Sequence, residues 1–231
     1  MENFIVSARK YRPASFDTVV GQLAITSTLR NAIVNHQLAQ AYLFTGPRGV
    51  GKTTCARIFA KTINCLNLQP NAEPCNECES CKAFNAGRSL NIHELDAASN
   101  NSVDDIRGLV EQVRILPQVG KYSVYIIDEV HMLSVPAFNA LLKIMEEPPE
   151  GVMFLLTASS AAAVLPTIRS RCVSFAVAPV SPADCTRYCA AQGVDKKTAA
   201  LYSELFDGHI GTVLAVARDE ARAAQVEKAL E

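Results

Sequence analysis

The sequence predicts an α/β protein: a parallel sheet with helices on both faces, followed by a small all-helical domain. Three observations predict it. Short apolar runs of strand length alternate with segments of helical period, the pattern of a sheet whose crossovers are helices. One of those runs, Ala41-Tyr42-Leu43-Phe44, leads into a glycine-rich loop, and another, Ser123-Val124-Tyr125-Ile126-Ile127, ends in Asp128-Glu129. Beyond Pro179 no strand pattern remains, only helical ones.

Along the chain, Val19-Val20-Gly21-Gln22 leads into a helix expected from about Leu23 to His36. The first strand, the glycine loop and a helix from 52 to about 64 follow. A cysteine-rich module over 65–81 continues into a helix through Phe84. Leu90 to Leu95 reads as a strand ending near Asp96. Asn100-Asn101-Ser102 then supplies an N-cap for a helix with apolar residues at Val103, Ile106, Leu109, Val110 and Val113, a helical spacing. After the 123–127 strand, a helix from about Ser134 to Glu146 is stopped by Pro148-Pro149. Val152 to Leu156 is another buried strand. These elements form an expected core over 1–178. Residues 179–231 form a smaller domain of three helical patterns, 181–192, 195–207 and 211–229, punctuated by Gly193 and Gly208.

Composition narrows the function classes. At 231 residues and 49% hydrophobic content, the chain can bury a sizeable core. No apolar stretch approaches the roughly 18 residues that suggest a membrane span, and Met1 to Arg12 has no secretory pattern, so the expected location is cytoplasmic, away from membranes. A net charge of −1 gives no global attraction to nucleic acid, so any such contact must come from local arrangement or assembly.

The glycine loop, Gly46-Pro47-Arg48-Gly49-Val50-Gly51-Lys52-Thr53, fits G-x-x-x-x-G-K-[ST]. Its glycines let backbone N–H groups converge on phosphate oxygens, and the helix beginning near Lys52 adds its positive end. Lys52 would reach the β- and γ-phosphates of a nucleoside triphosphate, the Thr53 hydroxyl would ligate Mg²⁺, and Asp128 would hold that ion through its hydration shell. Glu129, beside that acid, is the candidate general base for the attacking water. The plainer readings are a strand-to-helix turn without nucleotide and an Asp-Glu pair that caps the next helix.

Eight cysteines in a chain expected to be cytosolic call for a role other than disulfides. Cys65, Cys75, Cys78 and Cys81 follow C-x9-C-x2-C-x2-C, and four converging thiolates fit a closed structural Zn²⁺ site. Iron–sulfur ligation and uncoordinated thiols are the alternatives. Cys55, Cys172, Cys185 and Cys189 read as small buried hydrophobes.

Taken together, these motifs resemble the AAA+ ATPase subunits of the bacterial DNA polymerase III clamp loader. The likeness is gamma/tau-like over residues 1–150 and delta-prime-like after 150. It is carried by Arg9-Lys10-Tyr11-Arg12-Pro13, Phe16 and Val20-Gly21-Gln22, by Gly46 to Thr54 and by the four cysteines. Glu94 to Ser99, Ile126 to Leu133, Asn139 to Lys143 and Glu146-Glu147-Pro148-Pro149 add to it. The resemblance implies an AAA+ P-loop NTPase core with an inserted zinc module and a three-helix lid. Tyr11, Arg12, Pro13 and Val20 would line the adenine pocket, and Thr54 would join the phosphate loop. It also implies a ring with delta, delta-prime and gamma/tau subunits that uses ATP to place a sliding clamp on primed DNA.

Within that resemblance, Ser170-Arg171-Cys172 carries the arginine finger, which serves a neighbour's γ-phosphate. The segment is expected to follow the last core strand; by local sequence alone, Arg169 and Arg171 read as a solvated pair. The polar sensor at the end of the 152–156 strand is Thr157 or Ser159. The family's sensor-2 arginine has no counterpart in Gly208-His209-Ile210-Gly211-Thr212. Template backbone contacts are implied at Asn100-Asn101-Ser102-Val103, where a simple capped helix is the other reading. Three functions compete: a hydrolysing clamp-loader subunit, a low-turnover stator, and another AAA+ DNA motor. The intact phosphate loop and Glu129 oppose the stator and Gly211 supports it, while the four cysteines oppose the other motor. A helical collar domain is expected to be absent by Glu231.

Overall fold

The structure is a computed structural model and describes residues 13–113 and 120–230. Two compact units divide the chain: residues 24–177, and residues 13–23 together with 178–230.

The larger unit is built on five parallel strands: β1 (Ala41–Thr45), β2 (Ile92–Asp96), β3 (Ser123–Asp128), β4 (Val152–Ala158) and β5 (Val173–Ala176). Their spatial order is β2-β3-β4-β1-β5. Burial follows that order. Every residue of β1 and β4 is buried, whereas β2 alternates and β5 is mostly exposed, because the last two are edges. Central strands covered on both faces read as unbroken apolar runs, which is why β1, β3 and β4 stand out in the sequence.

Among the described residues, six α-helices belong mainly to this unit: α1 (Leu23–Val34), α2 (Lys52–Ile63), α3 (Glu79–Asn85), α4 (Val103–Val113), α5 (Val135–Glu146) and α6 (Pro166–Arg169). One face of the sheet packs Leu43, Tyr125, Ile127, Phe154 and Leu156 against Ile106 and Leu109 of α4 and Phe138, Leu141 and Met145 of α5. The other face receives α2, whose Phe59 ring meets Tyr42 edge-on at 4.9 Å. Burying side chains of this size stabilises by about 1.5–3 kcal/mol each. Ser134 caps α5 by accepting the Ala137 N–H at 3.4 Å.

Two features differ from the sequence expectation. Ser170-Arg171-Cys172 does not follow the last core strand but precedes it, since Val173–Ala176 pairs with β1. This strand is short, contains Ser174 and lies at an edge, so it carries no apolar run. Its Phe175 nevertheless stacks on Phe44 at 5.6 Å.

The smaller unit contains α7 (Pro182–Ala191), α8 (Lys196–Leu205), α9 (Ile210–Ala217) and α10 (Glu220–Leu230) around Cys185, Cys189, Ala199, Tyr202, Val213 and Leu214. Here the single helical pattern over 211–229 resolves into two helices. Arg218 ends α9, and the Asp219 carboxylate accepts the Arg222 N–H at 3.2 Å, starting a new helix. Residues 13–23 group with these helices. Phe16 is buried there, Pro13 and Val20 are half-buried, and Gln22 Nε2 donates to the Ala178 carbonyl at 2.6 Å. Tyr11 and Arg12 lie outside the described residues.

Candidate functional site

Parallel strands deliver their C-terminal ends to one edge of a sheet, where ligands of open α/β proteins bind. Here β1 ends in the phosphate loop, β3 ends in Asp128, and β4 lies between them, ending at Thr157 and Ala158. The loop is held by the sheet itself, through the Gly46 N–H donating to the Ala158 carbonyl at 3.2 Å. A Cβ at Gly46 would come within 2.2 Å of the Val177 carbonyl oxygen, so no larger residue fits. Gly51 precedes α2 with φ +101°, the left-handed turn that aims the first N–H groups of α2 out of the helix end.

Lys52 is buried, and its ammonium donates to the Gly46 and Pro47 carbonyls at 2.9 Å each. The Thr53 hydroxyl donates to Asp128 Oδ1 at 2.7 Å, across 75 residues of sequence. These two oxygens converge as a Mg²⁺ site requires, so the residues present fit that ion. Pro47, Arg48 and Gly49 form the exposed turn of the loop, Val50 is buried beneath it, and Thr54 sits in the first turn of α2.

Thr157, fully buried, links the two halves. Its hydroxyl donates to Asp128 Oδ1 at 2.5 Å and accepts the Glu129 N–H at 2.9 Å. Of the two sensor candidates, Thr157 is the one in contact with Asp128 and the Glu129 backbone. Ser159, two residues further on, lies 3.2 Å from His131 Nε2. Glu129 itself adopts a left-handed backbone, φ 51° and ψ 47°. Its carboxylate lies 3.6 Å from Lys52 Nζ through one oxygen and 3.4 Å from His131 Nδ1 through the other. In the sequence, His131 is marked only by lying within the Ile126-to-Leu133 stretch. Its neighbours become visible only once the register of β3 against β4 is known.

Arg171 is not at this site in the chain by itself. Its guanidinium donates to the Thr167 carbonyl at 2.6 Å and pairs with Glu146 of α5 at 2.9 Å. Both side chains of the pair are well exposed, so it contributes little stability.

The four cysteines come together after α2. Their sulfurs all lie within 4.8 Å of one another, with Cys65 and Cys75 at 3.5 Å. Tetrahedral zinc–thiolate bonds of about 2.3 Å place sulfurs about 3.8 Å apart, so the group could hold a zinc ion. The backbone N–H groups of Cys75, Cys78 and Cys81 donate to sulfurs of the set at 3.3–3.5 Å, a surrounding suited to thiolates. Burial acts against the Cys78 thiolate, but N–H donors and neighbouring sulfurs outweigh it and bring its pKa to about 6. Burial pushes the Cys81 thiol up. Asn76, left-handed at φ 59°, forms the knuckle between Cys75 and Cys78, and its side chain accepts from buried Lys61 at 2.7 Å. Burial lowers the Lys61 pKa, an effect that Cys81 and Glu73 oppose.

At the start of α4, Ser102 and Asp105 satisfy each other. The Asp105 N–H donates to Ser102 Oγ at 3.2 Å, and the Ser102 N–H and hydroxyl donate to the Asp105 carboxylate at 3.0 and 2.6 Å. With Asp104 also in the first turn, this is a capped, acidic helix start.

Comparison with known proteins agrees with this architecture. A family model described as "DNA polymerase III, delta subunit" matches residues 21–181. The chain is 52% identical over 167 residues to DNA polymerase III subunit tau of Bacillus subtilis, covering 72% of this chain and 30% of that protein. To subunit tau/gamma of Haemophilus influenzae it is 50% identical over 173 residues, covering 75% of this chain and 25% of that protein. These matches therefore span between a quarter and a third of those relatives. Among solved structures, the Thermotoga maritima RuvB Holliday junction branch migration motor superposes with a TM-score of 0.66 at 17% identity, covering 94% of this chain and 67% of that one. That likeness shows the AAA+ fold and no more. With a family match over most of the chain, the protein belongs to the DNA polymerase III delta-subunit family and is a gamma/tau-like relative within it.

Proposed function

We propose that this chain binds ATP with Mg²⁺ at the end of β1 and hydrolyses it as a subunit of a DNA polymerase III clamp loader, which sets a sliding clamp on primed DNA. The observation that carries the reading is the Thr53–Asp128–Thr157–Glu129 cluster behind the phosphate loop. In this reading Lys52 leaves the Gly46 and Pro47 carbonyls for the β- and γ-phosphates, to which loop N–H groups from Gly46 to Thr54 also donate. Thr53 and Asp128 hold Mg²⁺, which when bound neutralises charge on the phosphate oxygens. Glu129 orients and deprotonates the attacking water. Pro13 and Val20, with Tyr11 and Arg12, would contact the adenine, and residues 179–231 act as the lid domain.

Arg171 leaves Glu146 to serve the site of an adjacent delta, delta-prime or gamma/tau subunit. Zn²⁺ at Cys65, Cys75, Cys78 and Cys81 is structural: four thiolates leave no open coordination position.

Steady-state ATPase of the chain, alone and with the other loader subunits, clamp and primed DNA, tests the whole reading. Glu129→Gln should keep ATP affinity and slow turnover by about 10²–10⁴-fold, the usual contribution of a general base. Arg171→Ala should cut the stimulated rate of the assembled loader by about 10³–10⁵-fold. Parental turnover in Glu129→Gln would remove Glu129 as the base.

A further inference from the structure

The groups around Glu129 point to one more residue. His131 lies in the turn after β3, three-quarters or more shielded, with its ring between two polar side chains. Nε2 is 3.2 Å from the Ser159 hydroxyl, and Nδ1 is 3.4 Å from Glu129 Oε2. That second separation is within ion-pair range, yet no hydrogen bond is formed across it. Among the described residues Nδ1 has no hydrogen-bond partner, although it is shielded from water. A shielded polar atom beside a carboxylate, without a formed bond, is costly and calls for a partner. The other Glu129 oxygen faces the Lys52 ammonium at 3.6 Å, so the carboxylate is divided between lysine and histidine.

We propose that His131 is a positioning residue for Glu129, completing a Ser159–His131–Glu129 chain when Lys52 turns to the phosphates. This rests on the reading of Glu129 as the base. A lone pair on Nδ1 would repel the carboxylate, so the neutral ring carries its proton on Nδ1 and Nε2 accepts the Ser159 hydroxyl proton. While Lys52 bonds to the Gly46 and Pro47 carbonyls, Glu129 is shared between the lysine and the histidine. Once phosphate draws Lys52 away, the carboxylate swings fully onto Nδ1–H, which fixes the oxygen facing the water. Thr157 holds the Glu129 backbone N–H throughout. Alternate residues at the end of β4 thus serve different parts of one glutamate: Thr157 its main chain, and Ser159, through His131, its carboxylate.

The ring state can be read without nucleotide. Nitrogen-15 NMR of the full chain in mildly alkaline buffer, with His131 identified by its loss in His131→Asn, should show the Nδ1–H tautomer. In Ser159→Ala the signal should move toward Nε2–H. An Nε2–H ring in the parental chain overturns the proposal. Kinetics supply the second arm. His131→Phe should lower kcat for ATP hydrolysis by about 10–100-fold with ATP affinity unchanged, as expected when a reacting group loses its orientation. His131→Asn, which places an amide N–H near the Nδ1 position, should recover most of that loss. Equal losses in the two variants, parental kcat in His131→Phe, or affinity falling in step with kcat would each overturn it. If His131→Phe fails to fold, His131→Asn and the tautomer measurement still decide. Failure of the base reading is seen separately, as parental turnover in Glu129→Gln.

Discussion

The phosphate loop and the four-cysteine module are joined by a single helix, α2, yet they are held in shape by opposite means. The loop at the start of α2 is fixed by backbone: its first N–H bonds to β4, its glycines accept a close carbonyl and a left-handed turn, and its lysine is tied to its own carbonyls. Between Asn64 and Glu79, at the other end, there is no helix or strand. Side chains hold the module: Arg30 of α1 pairs with Glu73, Lys61 holds Asn76, and the Arg57 guanidinium lies over the Phe84 ring at 4.7 Å. A site built on strand ends is preorganised before its ligand arrives. A segment with few apolar contacts of its own needs a cross-link, and four thiolates around one metal ion would supply it.

Separating the two ends of α2 gives the sharpest test of this contrast. Lys52→Ala should cost about 2–5 kcal/mol of nucleotide binding, the range for truncating one partner of a buried charge pair. Zinc content should stay at one equivalent per chain. Titration with a fluorescent ATP analogue, beside metal analysis of the same sample, checks both; metal lost along with nucleotide would break the contrast.

The converse change is next in size. Stripping metal, or Cys78→Ser, should lower stability by about 2–3 kcal/mol and Tm by roughly 4–12 °C for a chain of this length. Proteolysis should open residues 65–81 first, with nucleotide affinity retained. Calorimetry and mass mapping of the cuts would report it, and cleavage starting in the phosphate loop would contradict it.

The smallest effect belongs to Thr157, on the sheet side of the comparison. Thr157→Val leaves the Glu129 N–H without its acceptor and should destabilise by about 1–3 kcal/mol. Thr157→Ser should retain most of the stability and the turnover. Equal denaturant midpoints for the valine and serine variants would show that the hydroxyl does not matter there.

What could be read from the sequence follows burial. The runs Ala41 to Phe44, Ser123 to Ile127 and Val152 to Leu156 are interior strands, and their composition says so. β5 hides because an edge strand with Ser174 in it need not be apolar. The break at Arg218-Asp219 hides because apolar spacing continues through it, while a single capping carboxylate restarts the helix. At the site, local motifs identify Lys52, Thr53, Asp128 and Glu129, since each is defined by its place on one segment. The choice between Thr157 and Ser159, and the neighbourhood of His131, depend on how β4 registers against β3. No local pattern encodes that. Arg171 is singled out only by likeness, and in the lone chain its guanidinium pairs with Glu146.

The left-handed backbone of Glu129 bears on how the protein responds to selection. In that conformation the Cβ of an ordinary L-residue crowds the following carbonyl at a cost of about 1–2 kcal/mol, whereas glycine has no Cβ and the short asparagine side chain can hydrogen-bond locally. A screen that rewarded only thermal resistance would therefore drift toward Gly or Asn at position 129, discarding the carboxylate. If Glu129 is the base proposed above, retaining it means accepting a less robust turn for the sake of its carboxylate.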